Sequence, residues 1–422
     1  MKRMFRLTVM IVFIFFLLGA LFSYAMFEGG FVSWFLFYSF TPVFLYEIAL
    51  FFYPLKKWRM SRQFHQQMVR SGEELYVTIQ IERTFPFPLY YTIVEDIFPH
   101  SLQKVNLRHN TYRYLNAPEN LSVIRKLKHI IFPWFRRHIE KTYVIQDIPR
   151  GRHPFKEIRV RLSDMFGLIH KEHVFSLEEE LLVAPSTRQL QLNGRVSAFD
   201  HGEQSAYSFR LKSTNIAIGT REYVPGDKFS WIDWKQTAKK NALMTKEFEQ
   251  EKSTDTMIVL NACHHDRYNL LAFEAAVEVT YSIVEMIHGR ASKTDFISIG
   301  KNNTSISLYE DETKMTVLRD HLTVVEPDGE NAFAEMFRQT MLKHFGGYVT
   351  IIVTTRIDAR FHEAVSQMAS RMKRVIVTLI QGSGWIQDVE YEHIRQLESM
   401  GVVVNVLTER ELIHHTIEVN II

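Results

Sequence analysis

The chain has 422 residues, with 50 Lys plus Arg against 47 Asp plus Glu, a net charge of +3 and a single cysteine, Cys263. That length supports two or three packed domains and excludes a short peptide, a fibre or a disordered chain. One cysteine excludes an intramolecular disulfide and a cysteine-built zinc site, and the near-neutral charge argues against nucleic acid as a partner.

Apolar residues crowd the N-terminus. Residues 7–26 and 31–53 are almost continuously hydrophobic and are separated only by Phe27-Glu28-Gly29-Gly30. At about 1.5 Å rise per residue, roughly 20 residues cross the roughly 30 Å hydrocarbon layer, so each run can span a bilayer. The first run lacks a small-x-small cleavage site before Glu28 and is followed at once by the second, which argues against a signal peptide. A two-helix transmembrane hairpin is therefore expected over residues 1–58. Lys2, Arg3 and Arg6 precede it, Lys56, Lys57, Arg59 and Arg62 follow it, and the connector carries no cation. The positive-inside rule then predicts a multi-pass protein of the cell membrane with both termini cytoplasmic. Glu47 lies inside the second run and is expected to reach the headgroups or pair with Lys56 or Lys57, since one isolated carboxylate makes no proton relay.

Residues 59–190 read as a β-sandwich-like domain. Leu75, Val77, Ile79 and Ile81 alternate with polar neighbours, as do Ile158, Val160 and Leu162, and prolines break the segment at intervals too short for long helices. Within it, residues 121–141 mix Ile124, Ile130, Phe132, Trp134 and Phe135 with Arg125, Lys126, Lys128, Arg136 and Arg137. That basic aromatic stretch suits either contact with anionic lipid or an amphipathic insertion over one sheet edge.

Residues 253–422 alternate short β-branched runs with segments of helical period. Strands are predicted over 257–260, 296–299, 348–354, 374–380 and 402–407. Leu270, Phe273, Val277, Tyr281, Val284 and Ile287 predict a helix, and two more are expected over 359–372 and 389–400. This alternation predicts a Rossmann-like parallel sheet covered on both faces, whose ligands would bind beyond the C-terminal strand ends.

No nucleotide-binding P-loop, His-Glu-x-x-His or Gly-x-Ser-x-Gly motif occurs, and Cys263 has no recognisable catalytic partner set. The His264-His265 pair reads as a loop, because adjacent histidines diverge on most backbones. One enzymatic alternative is a membrane-bound metal-dependent hydrolase in which Asp227 and Asp233 hold a divalent cation and Lys235 stabilises charge on phosphate. Five residues between the carboxylates leave little room for two paired strands and a turn, so the main reading is a protein without catalytic residues or cofactor.

The densest run of unusual residues falls in a linker over 191–252. Arg221, Glu222, Tyr223, Gly226 and Asp227 surround a Pro-Gly-Asp turn; Ile232, Asp233, Trp234, Lys235, Thr237 and Ala238 follow; Lys246 and Glu247 close the block. Pro225 and Gly226 suit the turn, Asp233 suits a helix cap, and the alternating charges allow a paired polar network. The block resembles the hallmark of the domain-of-unknown-function 58 family, Arg-x-Tyr-x-x-Gly-Asp leading into Ile-Asp-Trp-Lys-x-Ser/Thr-Ala-Arg, with Lys239 in the last position. Asp164-Met165-Phe166-Gly167-Leu168 resembles the family's Asp-Pro-Phe-Gly-Leu.

The resemblance implies an α/β von Willebrand A-like C-terminal domain, a MoxR-type AAA+ ATPase as partner and a transglutaminase-like membrane protein as companion. It implies an adaptor or scaffold in a cell-envelope-related or chaperone-like assembly, anchored in the lipid bilayer. Von Willebrand A domains hold Mg²⁺ through Asp-x-Ser-x-Ser, whereas this chain offers Asn261, Cys263 and His265, with Thr355 on a later strand. That set is degenerate for a hard cation, so no metal is expected.

Overall fold

The computed structural model describes residues 2–66, 68–167, 169–193, 216–225, 227–249, 255–265, 267–288, 293–308, 312–329, 333–343 and 348–420. Leu168 and Gly226, singled out above, lie outside the described residues, as does the side chain of Glu247. The chain divides into two compact units, Met1–Asn106 with Leu121–Val183, and Leu107–Asn120 with Ala184–Ile422.

The first unit begins with α1 (Lys2–Glu28) and α2 (Phe31–Phe52), both long and apolar enough to cross a membrane. Then come β1 (Arg59–Phe64), β2 (Val69–Arg70), β3 (Leu75–Glu82), β4 (Tyr91–Asp96), β5 (Leu127–Ile131), β6 (His138–Ile145), β7 (Gly151–Ser163) and β8 (His170–Ala184). They form two sheets, ordered β1-β3-β6 and β2-β8-β7-β4-β5, with β1-β3-β6 and β8-β7-β4-β5 antiparallel. Period-two alternation puts Val77, Ile79, Ile81, Ile158, Val160 and Leu162 into one core between the sheets, so the two sheets pack as a sandwich.

An ion pair is buried in that core. Arg62 on β1 donates through Nε and Nη2 to Asp96 on β4 at 3.1 and 2.7 Å, and Tyr143 on β6 donates to the same carboxylate. Arg62 Nη1 also lies 3.5 Å from Glu179 Oε2 and the guanidinium lies 4.7 Å from the Phe155 ring, so the buried cation is paired, as burial requires. Burial, and then the Asp96 charge, push the Tyr143 hydroxyl far up from its ordinary value.

One expectation changes here and another is narrowed. Glu47 is buried, pairs with neither Lys56 nor Lys57, and has the Asp164 carboxyl as its charged neighbour, because α2 packs against the sandwich loop that carries Asp164. The basic aromatic stretch is strand β5 on the sheet edge plus a loop, and β5 pairs with β4 from Leu127↔Asp96 to Ile131↔Thr92. Its residues therefore divide between the two ends of the sandwich.

The second unit adds β9 (Gln189–Asn193), β10 (Ile216–Glu222), α3 (Trp234–Lys240), β11 (Met244–Glu249), β12 (Thr256–Asn261), α4 (Leu270–Ile287), β13 (Thr294–Ile299) and β14 (Thr304–Ser307). It continues through α5 (Glu312–Val324), α6 (Phe333–Lys343), β15 (Val349–Thr354), α7 (Ala359–Ala369), β16 (Arg374–Ile380), α8 (Asp388–Ser399), β17 (Val403–Leu407), α9 (Glu409–Leu412) and β18 (Thr416–Asn420). The main sheet runs β14-β13-β12-β15-β16-β17, parallel except for the β14 edge. Met257, Val259, Ile352 and Val377 face a layer that includes Phe337, Phe361 and Leu397. By alternation, Ile258, Leu260 and Ile376 face the side on which α4 lies. The chain leaves β12 in one direction and returns on its other side at β15, so the strand order reverses between Asn261 and Thr354.

The segment Leu107–Asn120, interior to the sandwich in sequence, folds into this unit. Tyr112 donates to Glu278 on α4, Asn269 Nδ2 donates to Leu115 O at 2.8 Å, and Gly384 N donates to Asn116 Oδ1 at 2.9 Å. Strand β18 pairs in parallel with β9, from Thr416↔Gln189 to Asn420↔Asn193.

Candidate functional site

The motif block is a small module built on the β10–β11 hairpin, in which Arg221 pairs with Thr245 and Glu222 with Met244. In the turn that follows β10, the Asp227 carboxylate accepts from Arg221 Nη2 at 2.7 Å and from Val224 N at 3.1 Å. The Arg221 hydrogen bond and then the Val224 N–H hold that carboxyl below its ordinary value. After a 3₁₀ turn over Phe229–Trp231, Ile232 is buried and Asp233 N donates to Met244 O at 2.8 Å. Asp233 caps α3, accepting from Lys235 N and Gln236 N, both at 3.1 Å. Thr237 Oγ1 accepts from Met244 N at 3.0 Å, tying α3 to β11.

The expected polar network is therefore narrower than the sequence suggests. Arg221 and Asp227 meet, Asp233 is spent on the backbone, and Glu222, Lys235 and Lys246 form no ion pair among the described residues. The apolar side chains do something the sequence did not announce. Ile232 and Met244 are buried beneath the module, whereas Trp234 is 67% exposed and Phe229 78% exposed, with Val224 and Leu243 also exposed. Ala238 is exposed too, and the Tyr223 ring stands 6.4 Å from that of Phe229.

A second cluster sits where the strand order reverses. Asn261 Nδ2 donates to Thr354 Oγ1 at 3.0 Å while its Oδ1 accepts from Cys263 N at 3.1 Å. His265 Nε2 lies 3.3 Å from Thr355 Oγ1, and Gln381 Nε2 donates to Thr355 O at 3.2 Å. Asn269 Nδ2 reaches Gln381 Oε1 at 3.0 Å. The four residues named from the sequence, Asn261, Cys263, His265 and Thr355, stand at neighbouring strand ends, but Asn261 is spent on Thr354 and the Cys263 N–H, and His265 Nε2 faces Thr355.

This donor set does not fit a hard divalent cation. It has no carboxylate, and the Cys263 thiol is turned toward Ile299 O at 3.5 Å. Burial, then the nearby Asp328 charge, push that thiol up to about 11, away from thiolate chemistry. Among the described residues there is no group of three His, Cys, Asp or Glu side chains placed to hold a metal. Asn269 was legible as an N-cap just before the apolar run of α4; Asn116, Gln381 and Glu278 carried no local signal, because their partners are far away in sequence.

Comparison with known proteins bears on both clusters. The sequence profile of the family described as "Protein of unknown function DUF58" matches residues 219–383, from the motif block to the loop after β16. A Bacillus subtilis (strain 168) relative, "Uncharacterized protein YeaD", is 32% identical over 398 residues, covering 88% of this chain and 95% of the relative. The chain belongs to the DUF58 family. The motif block opens the region that the DUF58 profile matches, and the strand-end cluster lies within it. Among solved structures, the PilB minor pilin from Streptococcus sanguinis aligns over 76% of this chain and 84% of its own, at 7% identity and a TM-score of 0.28. The CARDB domain of the PF1109 protein from Pyrococcus furiosus covers 29% of this chain and 91% of its own, at 7% identity and a TM-score of 0.17. Scores this low establish no shared fold.

Proposed function

We propose that this DUF58 protein is a non-enzymatic, membrane-anchored adaptor whose motif module docks a MoxR-type AAA+ ATPase in a cell-envelope-related or chaperone-like assembly. One observation carries the reading: the module buries Ile232 and Met244 beneath itself yet presents Trp234 and Phe229 to solvent, the anchor residues a protein interface uses. Asp227 and Asp233 already serve the module's own turn and cap, so a hydrolase built on them with Lys235 draws no support. The sheet order, with its antiparallel edge strand, supports a von Willebrand A-like reading of the C-terminal region. The cationic flanks of α1 and α2 support a cytoplasmic location for both ends. A transglutaminase-like membrane protein is a second candidate companion.

The test is a binding titration of the full chain, held in lipid nanodiscs, against the MoxR-type ATPase of the same cell. Trp234→Ala should weaken binding by about 30-fold, the scale of an interface hot spot, while leaving thermal stability within about 0.5 kcal/mol of the parent. Unchanged affinity in a folded variant would remove the module from the interface.

A further inference from the structure

The end of the sandwich from which α2 departs carries features that the adaptor reading leaves unexplained. Pairing registers place Glu82, Tyr91, Ile131, His138, Ser163 and His170 at this end of the two sheets. Helix α2 does not stop short of it. Tyr46, six residues before the last helical residue Phe52, donates to Pro88 O at 3.0 Å and stacks on Phe87 at 5.5 Å. The Asp164 carboxyl reaches the level of Glu47. At about 1.5 Å per helical residue, these loops extend about 9 Å back along α2. When α2 spans a bilayer, that depth is the headgroup and upper acyl region.

The loop tips are apolar and exposed. Phe85, Phe132, Trp134, Phe135, Met165 and Phe166 are each at least half exposed. Single exposed apolar residues are ordinary, but six at one end of one domain form a patch that needs a partner. Trp134 is held at φ 44°, a backbone region bulky residues rarely enter, with its N–H on Leu89 O at 3.1 Å. Around the patch stand Lys56, Lys57, Arg136 and Arg137, all exposed and none in an ion pair among the described residues.

We infer that this end of the sandwich is itself a membrane-binding surface, its apolar tips entering the acyl boundary and its four cations taking anionic phospholipid headgroups. Continuity with α2 fixes the occupant, and the mixture of aromatic and cationic side chains matches the chemistry of that depth. Docking also accounts for buried Glu47, which the Asp164 loop covers instead of lipid. The inference rests on α1 and α2 crossing the membrane.

The test uses the full chain with Cys263→Ser, carrying one fluorophore-labelled cysteine at a time in nanodiscs whose lipids bear shallow or deep nitroxide quenchers. Phe135→Cys and Phe166→Cys should be quenched most by the shallow label, and Phe40→Cys in α2 most by the deep one. Glu178→Cys, toward the opposite end of β8, should escape both. If Phe40→Cys is quenched while Phe135→Cys and Phe166→Cys behave like Glu178→Cys, the docking surface is overturned and the anchor stands. If Phe40→Cys also escapes, the anchor falls and the surface with it. Arg136→Glu with Arg137→Glu should cut the preference for anionic lipid by about fivefold per cation, and an unchanged preference would overturn the headgroup contact.

Discussion

Truncating Glu278 to alanine isolates the contacts that bring residues 107–120 into the second unit. Its carboxylate accepts from Tyr112 Oη and from Ser186 Oγ, the latter at 2.6 Å, and lies 3.5 Å from Arg188 Nε. Arg188 in turn donates to Leu412 O and His414 O, both at 2.8 Å, and its guanidinium lies 5.1 Å from the Tyr112 ring. Glu278→Ala takes the carboxylate partner from the buried Arg188 side chain, which keeps only its carbonyl acceptors, and from the buried Tyr112 and half-buried Ser186 hydroxyls. Breaking such a pair costs about 3–5 kcal/mol, and the lower figure raises a local opening constant about 150-fold. Hydrogen–deuterium exchange on the full chain should show that acceleration in residues 107–120 and in β9 and β18. Strands β3 and β7 of the sandwich should keep their protection. Glu278→Gln retains an acceptor and should lose about tenfold. Equal protection in Glu278→Ala and the parent would refute the reasoning, as would acceleration spread evenly over both units.

Asp233→Ala removes the α3 cap and should cost about 1 kcal/mol, felt as faster exchange in α3 and β11 alone. Cys263 should react with a thiol reagent at pH 8 about 100-fold more slowly in the folded protein than after unfolding, because its thiol is raised from 9.0 to about 11; a fast native reaction would place it at the surface. Lys171 donates to the Phe51 and Tyr53 carbonyls, and burial lowers it from 10.5 to about 8. Below its folded value the unfolded and folded chains are equally protonated at this site. Between about 8 and 10.5 the unfolded chain binds more protons, so thermal stability should rise with pH across that window. Lys171→Met should flatten the rise.

The buried parallel strands were legible because they are short β-branched runs, and β16 begins and ends where its run does, at Arg374 and Ile380. Helix α4 was legible from its apolar period and the Asp233 cap from turn chemistry, whereas the Arg221–Asp227 pair was legible only as one of several that the alternating charges allowed. Helices α5 and α6 were not anticipated, since their apolar stripes are diluted by charge: Lys314, Arg319 and Asp320 in one, Glu335 and Arg338 in the other. Nor was the excursion of residues 107–120, because Tyr112 finds its partner 166 residues away. Glu47 illustrates the same limit. Sequence placed it in an apolar run but carried no sign of the loop that covers it.

The junction between α2 and the sandwich has no slack. Pro54 follows Tyr53 directly, Lys171 clamps the last carbonyls of the helix, and the buried Arg83 guanidinium sits 5.8 Å from the Tyr53 ring and 5.6 Å from that of Trp58. A swivelling tether would let the β domain turn freely about the end of α2. This stiff elbow instead passes any tug on the sandwich into α2 as a tilt; with α2 in a bilayer, as proposed above, the lipid matrix would become part of the mechanical path.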